Sequence, residues 1–228
     1  MAEKLKILCL HGCRQDGKIF NQKTGSLRRM LKNICEFTYV TAPHSIKPLN
    51  KELNNEINND EYDYRTWWYN GADKSYLSKL QSEIDEGFDE SLQFLKQFIR
   101  DNGPFDGLLG FSQGGALAAL ICFLIERKEF DAEFKFVILI SAFKSLCTPH
   151  LKYYSSKIDV LSLHVFGEGD DIITKDRSED LMSLFAKAET LRHSGGHYVP
   201  SSKEQREPYL KFFKDMLSLK QQIKLKSS

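Results

Sequence analysis

The stretch from Phe105 to Ile125 constrains the fold more than any other part of the chain. Phe105 to Phe111 is a short, largely apolar run of the kind found in strands buried on both faces. It passes directly into Ser112-Gln113-Gly114-Gly115. Leu117, Leu120, Ile121, Leu124 and Ile125 then recur at helical spacing. A strand, a tight turn and a helix within about twenty residues leave little besides a layered α/β arrangement.

The rest of the chain repeats the alternation. Leu5–Leu10, Phe37–Val40, Phe134–Ser141 and Leu161–Phe166 read as further buried strands, with a weaker one near Glu189–His193. Helical spacing predicts a helix around 24–32, a long amphipathic one through Phe88, Leu92, Leu95 and Phe98, one over 174–187, and a last one carrying Tyr209, Phe212, Phe213 and Met216. These elements predict one α/β domain over 1–228, a mostly parallel sheet of about six strands with helices on both faces. Functional groups should then gather at the carboxyl ends of the strands. An asparagine-rich excursion at about 44–80, holding Trp67, Trp68 and Tyr69, interrupts the pattern, and a basic tail at about 220–228 ends it.

Composition removes several classes of function. With 228 residues, 41% hydrophobic and 28% charged, the chain is an ordinary globular one. A formal net charge of +1 leaves no field to gather nucleic acid or an anionic membrane. No apolar run approaches spanning length, so stable membrane insertion is not expected. Five scattered cysteines without a C-x-x-C pair predict free thiols, no bound metal and a reducing cytoplasmic or nuclear setting. Oligomeric state is not legible.

Gly110-Phe111-Ser112-Gln113-Gly114 matches G-x-S-x-G in the strand-turn-helix setting that exposes a nucleophilic serine. A serine hydroxyl is a weak nucleophile at neutral pH and needs a base, which needs a group to orient it. In this class of fold the acid and then the histidine follow the serine. His164 sits mid-strand as a core residue; His193 is a second candidate. His197, after Ser194-Gly195-Gly196, is preferred because a turn beyond the last strand can lean across the sheet. Glu168, Asp170 and Asp171 follow the 161–166 strand, and position alone does not choose among them. A developing oxyanion needs two backbone N–H donors, one from Gln113 and the other from the His11-Gly12-Cys13 turn. No cofactor is required by this chemistry.

The runs HGCRQDG at 11–17, KTGSLRR at 23–29, Trp67-Trp68-Tyr69, GPFDGLLGFSQGGALAAL at 103–120, HVFGEGD at 164–170 and HSGGHYVP at 193–200 resemble the FSH-type serine hydrolases of the α/β-hydrolase superfamily. The resemblance spans about residues 4–217. It implies Ser112, Asp170 and His197 as the triad, the Cys13 and Gln113 amides as the oxyanion hole, and an apolar acyl pocket near Trp67 and Trp68. The substrate so implied is a small-molecule carboxylic ester of medium to long acyl chain. An acyl thioesterase or lysophospholipase relative is the second reading, since GFSQGGAL is also that group's motif; a non-catalytic binding protein on the same scaffold is the third.

Overall fold

The computed structural model describes residues 3–47 and 63–226. Its strands are β1 (Leu5–Leu10), β2 (Cys35–Val40), β3 (His44–Ser45), β4 (Arg65–Thr66), β5 (Gly107–Phe111), β6 (Phe136–Ile140), β7 (Ile158–Gly167) and β8 (Phe185–His193). Its helices are α1 (Gly17–Lys23), α2 (Gly25–Leu31), α3 (Phe88–Asn102), α4 (Gln113–Glu126), α5 (Thr148–Leu151), α6 (Lys175–Met182) and α7 (Arg206–Lys226). Six strands make one parallel sheet in the order β2-β1-β5-β6-β7-β8, while β3 and β4 pair antiparallel apart from it.

Period-two alternation along the strands explains the two layers. Leu8, Leu10, Leu108, Val137 and Leu139 pack with α3, α4 and the Trp67–Tyr76 segment. Ile7, Cys9, Leu109, Phe111, Ile138 and Ile140 pack with α1, α2 and α7. Helix α4 is buried along nearly its whole length, which is why its composition is apolar all round rather than amphipathic.

The strand order reverses between β1 and β5, because the chain first moves out to β2 and then returns past β1. The crevice at such a switch point lies beyond the carboxyl ends of the two strands. There the turns holding His11–Cys13 and Ser112 become neighbours: a Cβ on Gly12 would lie 3.3 Å from the Ser112 Cβ.

The elements depart from those expected at several places. A separate helix, α1, precedes the helix read around 24–32, which is α2. Asp16 caps the first by accepting the Ile19 N–H (2.6 Å), and the buried Thr24 hydroxyl donates to Phe20 O (2.8 Å) at the break. The helix read to 187 stops at Met182, and β8 already begins at Phe185. Residues 186–190 are exposed on an edge strand, so no apolar alternation marked them. The basic tail expected at about 220–228 is helical as far as Lys226. It continues α7, and Lys220 Nζ is held by Lys4 O (2.9 Å) and the Asp106 carboxylate (2.8 Å). Within the 44–80 excursion, residues 48–62 lie outside the described residues; the remainder folds onto the α3/α4 side of the sheet.

Candidate active site

Ser112 stands between β5 and α4 at φ 53° and ψ −118°, a conformation a side-chain-bearing residue adopts only under tertiary constraint. The constraint is visible on both sides. The Ser112 N–H donates to Ile140 O (2.9 Å) and its carbonyl accepts from Ala116 (2.9 Å). A Cβ on Gly110 would run into the Gly114 carbonyl, and one on Gly114 into the Leu10 and His11 carbonyls. Glycine at these two places lets the turn close against β1.

His197 reaches the serine from the turn after β8. Its Nε2 lies 3.0 Å from Ser112 Oγ, and its Nδ1 lies 2.8 Å from Asp170 Oδ2. A carboxylate only accepts, so Nδ1 carries the proton and Nε2 offers its lone pair to the serine hydroxyl. The His197 ring rests on the Phe111 ring, with centroids 4.8 Å apart. The two turns behind it are braced together: Glu168 N–H donates to His193 O (2.8 Å) and Gly169 N–H to Gly195 O (3.1 Å).

Among the three acids, the structure brings Asp170 alone to His197. Its other oxygen, Oδ1, accepts the Ile172 (3.0 Å) and Ile173 (2.8 Å) amides. Burial acts to raise its pKa. The hydrogen bond and charge of His197, with the Ile173 amide, outweigh that and hold the carboxyl below its ordinary range. Glu168 and Asp171 are exposed. The other late histidines are engaged elsewhere. His193 Nδ1 accepts the Gly195 N–H (3.2 Å), His164 Nε2 lies 3.2 Å from Ser162 Oγ inside the core, and His150 Nδ1 lies 2.8 Å from Ser145 Oγ.

The N–H of Gln113 is the first of α4 and has no carbonyl one turn back inside the helix. Neither it nor the Cys13 N–H has an acceptor among the described residues. Gln113 follows Ser112 directly, and Cys13 follows Gly12, where a Cβ would lie 3.3 Å from the Ser112 Cβ. The Cys13 thiol is a poor nucleophile, since burial pushes its pKa up against the opposing influence of Arg14.

Trp67 and Trp68, expected on a pocket wall, are instead wholly buried. Trp67 Nε1 donates to His11 O (2.8 Å), and Trp68 packs edge-on against Tyr76, Phe88 and His150. They hold the site's frame. The Gln113 side chain joins them to the serine turn: Oε1 accepts the Trp67 N–H (3.0 Å) and Nε2 donates to Trp68 O (2.9 Å). Thr66 Oγ1 lies 2.9 Å from both Gln113 Oε1 and Trp68 O, and gives its single hydrogen to one of them.

His11 and this Gln113 side chain are the positioning groups that sequence reasoning passed over. His11 is fully buried; its Nδ1–H donates to Gly12 O (2.8 Å) and its Nε2 accepts the Ala42 N–H (3.0 Å). Burial lowers its pKa to about 4 despite the Gly12 carbonyl, so it stays neutral while it shapes the turn that presents Cys13. Its place at a strand end before glycine was the available signal.

Two openings lie near the triad residues: one is lined by His197, and the other by Asp171, which follows Asp170 in the chain. One, of about 390 Å³, includes His197, Phe111, Phe20 and Val199 in its walls. The other is an apolar groove of about 430 Å³ formed by Leu77, Leu80 and Ile172 beside Asp171, with Leu77 and Ile172 each 51% exposed. Among the described residues no cluster of three or more metal-ligating side chains occurs, and no helix is long and apolar enough to cross a membrane.

Comparison with known proteins agrees with the sequence resemblance. Esterase OVCA2 of Danio rerio is 40% identical over 222 residues, covering 93% of this chain and 98% of the relative. Esterase CG5412 of Drosophila melanogaster is 39% identical over 217 residues, covering 95% and 76%. Among solved structures, acyl-protein thioesterase 2 of Zea mays superposes with a TM-score of 0.63 at 17% identity over 95% of each chain. Esterase PE8 gives 0.64 at 19% over 94% of each. These two establish the α/β-hydrolase fold. Since the serine hydrolase (FSH1) family model matches residues 1–209, the chain belongs to the FSH1 family of serine hydrolases.

Proposed function

We propose that this protein hydrolyses small-molecule carboxylic esters through an acyl-enzyme on Ser112. The observation that carries the reading is the continuous hydrogen-bonded chain Ser112–His197–Asp170, at 3.0 and 2.8 Å, ending on a serine in strained backbone beside two unengaged amides.

His197 Nε2 takes the hydroxyl proton as Ser112 Oγ bonds to the carbonyl carbon. The carbonyl oxygen becomes an oxyanion, received by the N–H groups of Cys13 and Gln113. The bond to the alcohol oxygen then breaks, and His197 passes its proton to the departing alcohol. Water repeats the sequence: its proton goes to Nε2, its oxygen to the acyl carbon, and the proton returns to Ser112 as the acid leaves. Asp170 keeps the imidazole in the required tautomer and stabilises its transient charge.

For the acyl part we propose medium to long chains lying along the Leu77–Leu80–Ile172 groove, whose exposed apolar side chains support that use. Each CH₂ removed from water there is worth at most about 0.8 kcal/mol. A fluorophosphonate probe with intact-mass measurement tests the nucleophile. Wild type should take one adduct on Ser112, and Ser112→Ala should lose labelling and about a millionfold in turnover while keeping its fold. A folded Ser112→Ala protein with a tenth of wild-type turnover would refute the assignment. Oxygen esters and thioesters of matched acyl chain, compared in the same assay, determine which leaving atom is preferred.

A further inference from the structure

The cavity beside His197 has a polarity that the hydrolysis of simple esters does not use. Phe20, Phe111 and Val199 make its apolar wall, and Gln15, Lys23, His197 and Tyr198 supply its polar groups; none of its seven lining residues is acidic. Lys23, the last residue of α1, is exposed and has no ion-pair partner among the described residues. Gln15 is buried, and its Oε1 is directed to the Gly12 N–H (3.4 Å). Only an acceptor can face an N–H, so this contact fixes the amide's orientation and leaves Nε2 as a donor without a partner among the described residues. The cavity therefore combines an aromatic wall, the Lys23 cation, the open Gln15 N–H donor and the Tyr198 hydroxyl, with no acidic residue in its lining.

Its position assigns it to one part of the substrate. His197 must hand its proton to the departing alcohol oxygen, so the alcohol leaves along the side on which His197 lies. The cavity with His197 in its wall is on the α1/α7 face, whereas the Leu77–Ile172 groove adjoins residues of the opposite one. At about 390 Å³ it suits a ring-sized group rather than a large one.

We infer that this cavity is the leaving-group subsite and that Lys23 and Gln15 select esters whose alcohol carries an anionic substituent, a carboxylate or phosphate, on a small apolar or aromatic body. The inference rests on His197 acting as the base proposed above. When His197 holds the proton its own positive charge adds to that of Lys23, so an anionic leaving group is favoured most as it departs. Lys23 is solvated, so its contribution is a factor of several and falls with added salt.

The test uses two esters of one shape, meta-acetoxybenzoate and meta-acetoxybenzamide, and their free phenols. In wild type the benzoate should exceed the benzamide in kcat/KM by about fivefold at low salt, and the ratio should approach one at high salt. In Lys23→Gln the ratio should drop to near one, and in Lys23→Glu it should invert; taking a ratio within each variant cancels any general loss. NMR titration of the intact protein with meta-hydroxybenzoate and meta-hydroxybenzamide reads the subsite without turnover. Wild type should hold the benzoate several-fold more tightly, and Lys23→Glu should reverse the order. Equal binding of the two phenols by wild type, or the same preference in Lys23→Glu, overturns the inference. Failure of the triad reading would show separately, as no hydrolysis of the neutral benzamide ester by wild type.

Discussion

Asp170→Asn isolates what the carboxylate does from where it sits. The asparagine carbonyl can keep accepting the Ile172 and Ile173 amides, as Oδ1 now does at 3.0 and 2.8 Å. Its NH₂ group would then replace Oδ2 opposite His197 Nδ1, where the carboxylate oxygen stands at 2.8 Å. A donor facing Nδ1 forces that nitrogen to accept, and the ring proton moves to Nε2. Nε2 would meet Ser112 Oγ, 3.0 Å away, with a hydrogen instead of a lone pair and could not take the serine proton. A wrong tautomer in this arrangement costs about ten thousandfold in turnover, which is about 5.4 kcal/mol at about 1.36 kcal/mol per tenfold. The control is Asp171→Asn. Lys79 Nζ is bound by the Asp171 backbone carbonyl (2.8 Å), not by its exposed carboxylate, so that variant should stay within about threefold of wild type. The assay is kcat on a chromogenic ester together with the rate of fluorophosphonate labelling, each with a thermal melt. A folded Asp170→Asn protein retaining a tenth of wild-type activity, or a larger loss from Asp171→Asn, would refute the reasoning.

Three further outcomes follow from the same structure. Gln113→Leu strips the buried ties to Trp67 N–H and Trp68 O and should cost about 2–4 kcal/mol in urea unfolding; a change below about 0.5 kcal/mol would contradict the bracing role. Burial lowers the pKa of His164 to about 3, so between about pH 6.5 and 3 the unfolded chain binds a proton that the folded one does not. Stability should therefore fall as pH drops through that window, and His164→Leu should remove up to about 1.4 kcal/mol per pH unit of the slope; an unchanged slope would refute it. If Leu77 and Leu80 carry the acyl chain, replacing both with serine should flatten the rise in kcat/KM from butanoyl to decanoyl esters, and a slope equal to wild type would remove the groove from the reading.

Local patterns in the chain determined the sheet's strands, the strand-turn-helix at Ser112 and the histidine beyond the last strand. Each is a short-range consequence of burial period or of glycine spacing: Gly110 and Gly114 are needed wherever this turn closes. The sequence could not order the strands, choose Asp170 over Glu168 and Asp171 from position alone, or place the tryptophans. Position left the three acids equal and the family resemblance implied Asp170; in the structure the turns after β7 and β8 meet so that Asp170 has two amides on one oxygen and His197 on the other, while its neighbours face water. Trp67 and Trp68 present the same aromatic surface to a substrate or to a core, and composition does not separate the two. Tertiary structure did so by pairing Trp67 with His11 O and closing Phe88 and His150 over Trp68. Edge strand β8 was legible only in its last residues, since one exposed flank erases the apolar alternation that reveals a strand. Side-chain chemistry at each position was written in the sequence, whereas the partner each group would meet depended on loops brought together across the sheet from distant parts of the chain.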